Sequence, residues 1–417
     1  MLKFSTFLLS LFLVLSPNFG LVSAKAQNTS EKTESAEAAE PDPGALKLAD
    51  SNSVFAFDLY SRLKSQDGNL FFSPLSVSAV MAMLEIGAAG DTENQIRQTL
   101  RFEEKGEALG TLFSLLTKAL TSVEKDSKLN LANSLWPQRD YKLKEDYLNQ
   151  IKKYFGPNVI EVDYKKDEAG ARKQINDWVS EHTEKKIENL LAHPLAPAPN
   201  LILVNAVYFK GQWKHPFEAS QTYDGDFTVT PDKKVKAKFM TNTTRQYYLE
   251  TQDAQIVELP YAGKSLVLLA ALPKNPAEPL KTLEDKLTRA LLDQWLEGLE
   301  PRDVEVHLPK FTFSWGVVSL KPVLEALGLK EIFTKKADLS LLTQSPGLYV
   351  SDILQKAFVE VNERSTEAAA ATAGIMTTKA MAPSQVPPVF KADRPFVFLI
   401  FDKFSGSVIF MGRLSQP

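Results

Sequence analysis

A segment near the end of the chain joins a strand-like pattern to an unusual run of small side chains. Residues Ala357 to Val361 alternate apolar and polar side chains, which is typical of a half-buried strand. The following residues are rich in alanine and threonine and bury too little apolar surface to hold themselves in a core. Two interpretations are open: a flexible or weakly helical linker, or a reserve strand small enough to slide between existing strands. The segment comprises Glu363, Arg364, Ser365, Thr366, Glu367, Ala368, Ala369, Ala370, Ala371 and Thr372.

The amino-terminal residues have the layout of a secretory signal peptide. Lys3 precedes a mainly apolar run from Phe7 to Leu15, and small residues follow before a predicted cut after Ala26. The apolar run is too short to cross a bilayer, which takes about 20 residues. We therefore predict a secreted protein, extracellular or periplasmic, with a signal peptide at residues 1–26, a disordered acidic linker at 27–44 and one domain at 45–417.

The composition excludes several classes of function. The chain has no cysteine, so disulfides and a thiol nucleophile are impossible and packing alone must stabilise the fold. With 417 residues, 44% of them hydrophobic, it is long enough for a substantial core. A net charge of -3 provides no general attraction to nucleic acid or acidic membranes, so we expect neither as a partner.

Helix patterns dominate the first part of the chain and strand patterns the later part. The apolar run from Leu201 to Phe209 predicts a central strand covered on both faces, and Asn205 within it needs hydrogen-bond partners. A further strand is predicted at residues 159–164, and the apolar spacing after Ile175 predicts a helical face that includes Leu190. No linker divides the chain after residue 45, so we predict a single α+β domain.

No arrangement of residues points to catalysis. The histidines include no pair with metal-ligand spacing, no glycine-flanked nucleophilic serine is present, and triads are recognised by geometry rather than by composition. We therefore predict that the protein is not an enzyme and that it holds no metal ion and no cofactor. The histidines are His182, His193, His215 and His307.

Several short motifs occur in order from about residue 45 to the C-terminus. Each is weak by itself, but their order and spacing are specific. They are Asn69–Ser76, Gly87–Thr92, Ile175–Val179, Val204–Trp213, Leu308–Phe311, the hinge from Glu363, Phe390–Phe396 and Phe410–Arg413. Together they resemble the motifs of the serpin family.

The resemblance implies a fold of three β-sheets and about eight or nine helices, with an exposed reactive-centre loop at about residues 363–390. In the family, a serine protease attacks this loop and forms an acyl-enzyme, and the cleaved loop then inserts into the large sheet and traps the protease. Strand alternation would put Thr366, Ala368, Ala370 and Thr372 on the inward face of the inserted strand. We expect a secreted, monomeric suicide inhibitor whose partner is a serine protease.

Counting along the loop suggests the reactive bond. Inhibitory family members usually place it about seventeen residues into the loop, and the seventeenth residue from Glu363 is Lys379. The predicted bond is therefore Lys379–Ala380, and lysine suits the buried carboxylate of a trypsin-like protease. The alternative is a cut at Met376 or Met381, either of which suits a chymotrypsin-like protease.

Other residues match positions where the family's large sheet opens and where the loop first enters it. The resemblance implies a sheet-opening cluster of Ser73, Ser76, Asn205 and Gln355, and a loop-entry region of Trp213, Lys310 and Glu363. We predict an ion pair between Lys310 and Glu363 that holds the hinge.

Two residues depart from the family pattern. Ser365 stands where glycine is usual and stiffens the start of the loop. Gln355 stands where many members have histidine, and glutamine still donates and accepts hydrogen bonds but does not titrate. Ser365 keeps a second interpretation open, in which the protein has the serpin fold but acts as a binding or carrier protein without inhibiting.

Overall fold

Helices and strands follow one another from residue 42 to the C-terminus. The computed structural model describes residues 42–122, 127–156, 158–263, 265–363 and 386–417. Within those residues the α-helices are α1 (Pro43–Leu63), α2 (Pro74–Gly87), α3 (Gly90–Leu100), α4 (Gly106–Ser122), α5 (Glu145–Phe155), α6 (Glu168–His182), α7 (Leu280–Glu284), α8 (Arg289–Gly298) and α9 (Lys321–Ala326). The strands are β1 (Leu70–Phe72), β2 (Ser127–Pro137), β3 (Leu201–Gly211), β4 (Tyr223–Thr230), β5 (Lys233–Glu250), β6 (Ala254–Pro260), β7 (Leu266–Pro273), β8 (Glu300–Pro309), β9 (Phe311–Ser319), β10 (Asp352–Val361), β11 (Val389–Lys391), β12 (Phe396–Asp402) and β13 (Ser407–Leu414).

The first two helices begin at capping side chains. Asp42 Oδ1 accepts a hydrogen bond from a backbone N–H of α1 at 3.0 Å, and Pro43 occupies the first turn. This helix therefore begins two residues before the predicted domain boundary at residue 45. Ser73 caps α2 in the same way, with its Oγ 3.2 Å from Ser76 N. The cap fixes Ser76 at the start of α2, close to the four-stranded sheet.

The four-stranded sheet has the order β2-β3-β10-β9. Strand β3 pairs antiparallel with β2 and parallel with β10, and β10 pairs antiparallel with β9. The parallel pair runs from Ile202 opposite Asp352 to Phe209 opposite Val359. Nearly every residue of β3 is buried, which confirms the prediction of a central strand covered on both faces.

The second hydrogen-bonded network has nine strands, in the order β1-β13-β12-β7-β6-β5-β8-β11 with β4 attached to β5. The 18-residue strand β5 pairs with β4 near its start, with β8 along its middle and with β6 at its end. It therefore belongs to two regions of sheet at once. The α+β prediction is confirmed, and the three predicted sheets are connected as two networks because β5 is shared.

The main hydrophobic core lies between the two sheets and against α1 and α2. Within it, the ring of Phe71 stacks on that of Phe410 with the centroids 4.9 Å apart. A second, smaller cluster lies under α6 on the opposite face of the four-stranded sheet, where Val179 joins Val204 and Leu354. Both faces of the β3–β10 pair are therefore covered. All described residues belong to one compact unit.

The prediction of a strand at residues 159–164 is wrong, because this segment does not form a regular strand. The structure has only isolated bridges there, which pair Leu135 with Val159 and Gln138 with Val162. The segment runs beside the end of β2 without forming a continuous ladder. Its apolar alternation is explained by burial, since Val162 and Tyr164 are in the second hydrophobic cluster.

The helix predicted over the apolar residues from Ile175 to Leu190 ends earlier, at His182. Thr183 is the C-cap, and the two residues after it have φ values of 52° and 60°, which a helix cannot accommodate. Ile187 and Leu190 are buried all the same. Here the apolar spacing predicted burial correctly and backbone conformation incorrectly.

A buried carboxylate connects α2 to the start of α4. Glu85 is 2% exposed, and its Oε2 accepts a hydrogen bond from Gly106 N at 2.9 Å. Burial raises the pKa of Glu85 from 4.5 to about 7, although the Gly106 bond and the charges of Arg97 and Lys105 act in the opposite direction.

Glu85→Gln is expected to stabilise the protein above about pH 7 by up to about 3 kcal/mol. The folded protein binds the proton of the Glu85 carboxyl group more tightly than the unfolded chain does. The free energy of unfolding of the wild type therefore falls as the pH rises from about 4.5 to about 7. The glutamine keeps an acceptor for Gly106 without acquiring a charge. Denaturant unfolding at about pH 4 and about pH 8 measures the gain, with the exposed Glu103→Gln as control. An equal gain at both pH values would contradict the assignment.

Candidate functional site

A buried polar cluster lies across β2, β3 and β10. Ser76 Oγ donates to Asn133 Oδ1 at 2.8 Å, and Asn205 Nδ2 donates to both of these oxygens at 2.6 Å. Gln355 Nε2 donates to Asn205 Oδ1 at 2.5 Å and to Ser73 O at 3.2 Å. Asn133 is 7% exposed and the other four residues are fully buried, so these bonds form away from water.

Strand register brings the three amides side by side. Asn133 on β2, Asn205 on β3 and Gln355 on β10 occupy directly opposed positions, and the first turn of α2 supplies the two serines. The structure thus brings the four residues predicted for the sheet-opening cluster together, and the prediction that Asn205 needs partners is confirmed. Asn133 was not predicted as a site residue, because only the register reveals that it meets Asn205.

Separation of β3 from β10 would break this cluster. The bond between Gln355 and Asn205 is a side-chain hydrogen bond across the parallel pair, and each buried polar group left without a partner costs about 1–3 kcal/mol. Gln355 Oε1 already lacks a hydrogen-bond partner within the described part of the chain. The cluster therefore stabilises the closed arrangement of the two strands.

Glu363, just after β10, is held by three neighbouring groups. Lys310 Nζ lies 2.7 Å from Glu363 Oε2, so the predicted ion pair is present. Thr222 Oγ1 donates to the other carboxylate oxygen at 2.8 Å, and Phe217 N donates to the backbone oxygen of Glu363 at 3.2 Å. Both the side chain and the backbone of Glu363 are therefore held in place just beyond the end of β10.

The electrostatics of this contact favour an ionised Glu363. Partial burial raises the pKa of Glu363, but the hydrogen bonds from Lys310 and Thr222 and the charge of Lys310 outweigh it and hold the pKa below the usual value. The carboxylate side chain is 11% exposed and the lysine side chain 34% exposed, so solvent screens the pair only in part.

Trp213 supports the same segment from the side. Its Nε1 donates to Asn362 O at 2.8 Å, and its ring stacks on Tyr261 with the centroids 4.6 Å apart. Phe217 packs edge-on against the indole. The predicted loop-entry residues thus lie together. Thr222 and Phe217 were not predicted, because a loop hydroxyl and a backbone N–H leave no recognisable motif.

Residues 364–385 lie outside the described residues. They include the predicted hinge residues from Arg364 to Thr372, the predicted reactive bond Lys379–Ala380, and the alternatives Met376 and Met381. The description resumes at residue 386, and β11 then pairs parallel with β8 in the nine-stranded network. Of the ten predicted hinge residues, Glu363 alone falls within the described part.

The described residues contain no group of three or more histidine, cysteine, aspartate or glutamate side chains that could hold a metal ion. No helix among them has both the length and the apolar character needed to span a bilayer. The buried cluster and the contacts of Glu363 are the two polar groups that lie beside β10 at residues predicted from the sequence.

One protein family matches almost the whole of this domain. The family described as Serpin (serine protease inhibitor) matches residues 50–417. The chain belongs to the serpin family. The resemblance inferred from the motifs is thereby confirmed, and serpins as a family are inhibitors of proteases rather than enzymes.

Similar serpins come from organisms as different as an archaeon and mammals. An uncharacterized serpin-like protein of Thermococcus kodakarensis is 37% identical over 364 residues, which cover 87% of this chain and 84% of the relative. The leukocyte elastase inhibitor of Sus scrofa is 36% identical over 381 residues, 89% of this chain and 100% of the relative. The crystal structure of human thyroxine-binding globulin complexed with thyroxine matches with a TM-score of 0.79 and 28% identity, covering 90% of this chain and 99% of that one. The names of these similar serpins thus include both an inhibitor and a binding globulin.

In this serpin, Lys310→Met is expected to lower the free energy of unfolding at neutral pH by about 1 kcal/mol or less. The folded-state pKa of Glu363 is depressed, so its contribution is present above the unfolded pKa of about 4.5 and is lost as the pH falls through the folded value. The difference between wild type and variant in denaturant unfolding should therefore shrink as the pH falls below about 4.5. Lys47→Met, which removes an exposed pair with Glu103, is the control and should change little. A loss that does not depend on pH would contradict a role for the ion pair.

Proposed function

We propose that this serpin is a secreted, monomeric suicide-substrate inhibitor of trypsin-like serine proteases, with a reactive loop at residues 363–390. The observation that carries the proposal is the closed parallel pair of β3 and β10, because the loop continues directly from the end of β10. The pair has eight opposed positions and no strand between its members.

Insertion of the loop would replace one parallel pair by two antiparallel pairs. The chain leaves β10 at Val361 and must reverse direction to enter the sheet, so the entering strand runs antiparallel to β10 and to β3, which is parallel to β10. Antiparallel pairs are slightly more stable per residue, and an added strand forms a further set of backbone hydrogen bonds. Insertion of the loop would therefore lower the free energy of the protein, which supports the proposal that the loop moves into the sheet.

The side chains of the proposed hinge fit such an entry. Thr366, Ala368, Ala370 and Thr372 alternate along the segment and share one face of an extended strand. They are small and uncharged, so they require little space in a packed interior and no desolvation of charge. The contacts of Glu363 with Lys310 and Thr222 fix the point at which the chain would turn.

The proposed chemistry stops half-way through proteolysis. The serine oxygen of the protease attacks the carbonyl carbon of Lys379, the bond to Ala380 breaks, and the amine of Ala380 leaves with the proton taken from the serine. An ester then joins Lys379 to the protease. Loop insertion carries this ester away and distorts the protease before water can hydrolyse it. Lysine at this position matches the buried carboxylate in the specificity pocket of trypsin-like proteases.

The signal-peptide pattern of residues 1–26 supports export. N-terminal sequencing of the exported protein is expected to give Gln27 as the first residue. A protein recovered only inside the cell with Met1 retained would contradict the proposed localisation.

Incubation with trypsin, followed by denaturing electrophoresis, tests the inhibitory function. A covalent complex that survives denaturation supports inhibition, whereas clean cleavage without a complex supports a binding or carrier protein, the alternative that Ser365 and the similarity to thyroxine-binding globulin favour. Mass spectrometry of the peptide released by trypsin should show residues 380–417. In a parallel incubation with chymotrypsin, a covalent complex and a peptide beginning after Met376 or Met381 would instead indicate a chymotrypsin-like target.

A further inference from the structure

A cavity of about 340 Å³ lies between the adjoining ends of β5 and β6 and the helical segment that contains α7 and α8. Its walls include the turn of residues 251–253, which joins β5 to β6, and several residues of the stretch 283–298. Ligand sites in proteins usually have volumes of about 300–1,000 Å³, so this cavity has room for a small molecule. We call it the α8 cavity.

The floor of the α8 cavity is apolar. Ala254, Leu283 and Trp295 line it and are buried members of the main hydrophobic core. Leu249 and Leu291 also line it and pack against the same core. A polar group placed on this floor would lose its hydration without gaining a partner, so the part of a ligand that lies there must be hydrocarbon or an aromatic ring.

Charged and amide groups of the α8 cavity are at its exposed edge. Lys286 Nζ lies 2.6 Å from Asp253 Oδ2, and each of these side chains is 49% exposed. Gln252 and Gln294 are also exposed lining residues. A half-exposed ion pair contributes little to stability, so Lys286 can exchange its partner at small cost.

Of the two charged groups, the lysine is the one that can turn toward a ligand. The backbone of Asp253 is fixed, because its N–H donates to Thr251 Oγ1 at 3.2 Å and its carbonyl oxygen accepts from Lys274 N at 2.9 Å. The side chain of aspartate is also short. Lys286, in contrast, carries its ammonium on a flexible four-carbon stem. The charge that can reach a ligand is therefore positive, which favours an anionic ligand over a cationic one.

The indole of Trp295 adds a second hydrogen-bond donor. Trp295 is 3% exposed, and among the described residues no acceptor bonds to its Nε1–H. The nitrogen nevertheless keeps some contact with solvent, and the indole lines the α8 cavity. An indole N–H can only donate and usually has a partner when tryptophan is buried, so a ligand oxygen would satisfy it.

We propose that the α8 cavity binds a small hydrophobic monocarboxylate. The hydrocarbon part lies on the apolar floor, the carboxylate pairs with Lys286, and the indole N–H of Trp295 is a further donor. None of the lining residues belongs to β3 or β10 or contacts Glu363. The binding site is therefore separate from the proposed inhibition and does not depend on it.

Isothermal titration calorimetry of the full chain with octanoate, octylamine and octan-1-ol tests the preference for an anion. The three probes share one hydrocarbon chain and differ only in the head group. Octanoate should bind about tenfold more tightly than either of the others. In Lys286→Met this advantage should disappear, whereas the affinity for octan-1-ol should stay close to that of the wild type.

Lys281→Met is the matched control, because it removes an exposed ion pair with Asp285 on α7 and Lys281 does not line the cavity. This variant should bind octanoate as the wild type does. Equal affinity of the wild type for the three probes would overturn the proposal. Undiminished octanoate affinity in Lys286→Met, or an equal loss in Lys281→Met, would overturn the role of Lys286.

Three further measurements locate the ligand. Hexanoate should bind more weakly than octanoate by about fourfold for each missing methylene, because those groups are buried on the apolar floor. Octanoate should change the tryptophan fluorescence of the wild type but not that of Trp295→Phe. Leu291→Trp, which fills the cavity from its half-buried side, should abolish octanoate binding. A fluorescence change that persists in Trp295→Phe, or wild-type affinity in Leu291→Trp, would overturn the assignment of the α8 cavity.

Discussion

Thr366→Arg should turn the protein from an inhibitor of trypsin into a substrate. In the proposed mechanism this side chain enters the four-stranded sheet early, on the inward face that Ala368 and Ala370 share. A guanidinium there would be buried without a partner, at a cost of several kcal/mol, so insertion slows and hydrolysis of the acyl-enzyme overtakes it. The fraction of protein recovered as covalent complex should fall by about tenfold or more, while cleavage of the loop continues.

Glu367→Arg is the matched control for this experiment. It introduces the same side chain one position later, where strand alternation directs it away from the interior. Complex formation by this variant should stay close to wild type. Undiminished complex formation by Thr366→Arg would refute the assignment of the inward face, and equal loss in both variants would point to charge in the loop rather than to burial.

Lys379→Glu should abolish useful inhibition of trypsin. The lysine ammonium is expected to pair with the buried carboxylate of the protease pocket, and glutamate would place a second negative charge there. Loss of a buried charge pair costs enough to weaken inhibition by about a hundredfold or more. The second-order rate of trypsin inactivation is the quantity to measure.

The same charge change at Lys335, which is exposed on the surface, is the control and should leave the rate unchanged. Chymotrypsin provides the complementary test. If Met376 or Met381 were the true position, Lys379→Glu would leave the inhibition of chymotrypsin largely intact and wild type would form little complex with trypsin. Retained trypsin inhibition in Lys379→Glu would exclude Lys379 as the residue that enters the pocket.

The sequence predicts those parts of the site that are marked by residue type. Asn205 stands out as a polar residue in an otherwise apolar run, and burial obliges it to find partners, which the structure confirms. The contact of Lys310 with Glu363 was predicted from the family resemblance and is present at 2.7 Å. Asn205 could therefore be predicted from its polarity alone, whereas the Lys310–Glu363 pair required the family resemblance.

The parts that could not be predicted depend on register or on backbone groups. Asn133 joins the cluster because the pairing of β2 with β3 places it opposite Asn205. The register between two strands cannot be predicted from the sequence of either strand alone. Thr222 contributes one hydroxyl from a connecting segment, which no periodic pattern marks. Residues 183–191, which follow α6, carry apolar side chains at a spacing typical of a helix, so the sequence predicted their burial but not their left-handed backbone conformations.

The parallel pairing of β3 with β10 also bears on how the chain folds. Asn205 and Gln355 are 150 positions apart, so their contact requires the closure of a long loop, whereas a hairpin between β10 and the residues after it would close within a few positions. The local hairpin is therefore the kinetically accessible competitor, and in the proposed mechanism it is also part of the inserted end state. Under that mechanism, activity would depend on β3 pairing with β10 before the downstream segment does. The order of strand pairing, and not stability alone, would then decide whether a newly made molecule can inhibit.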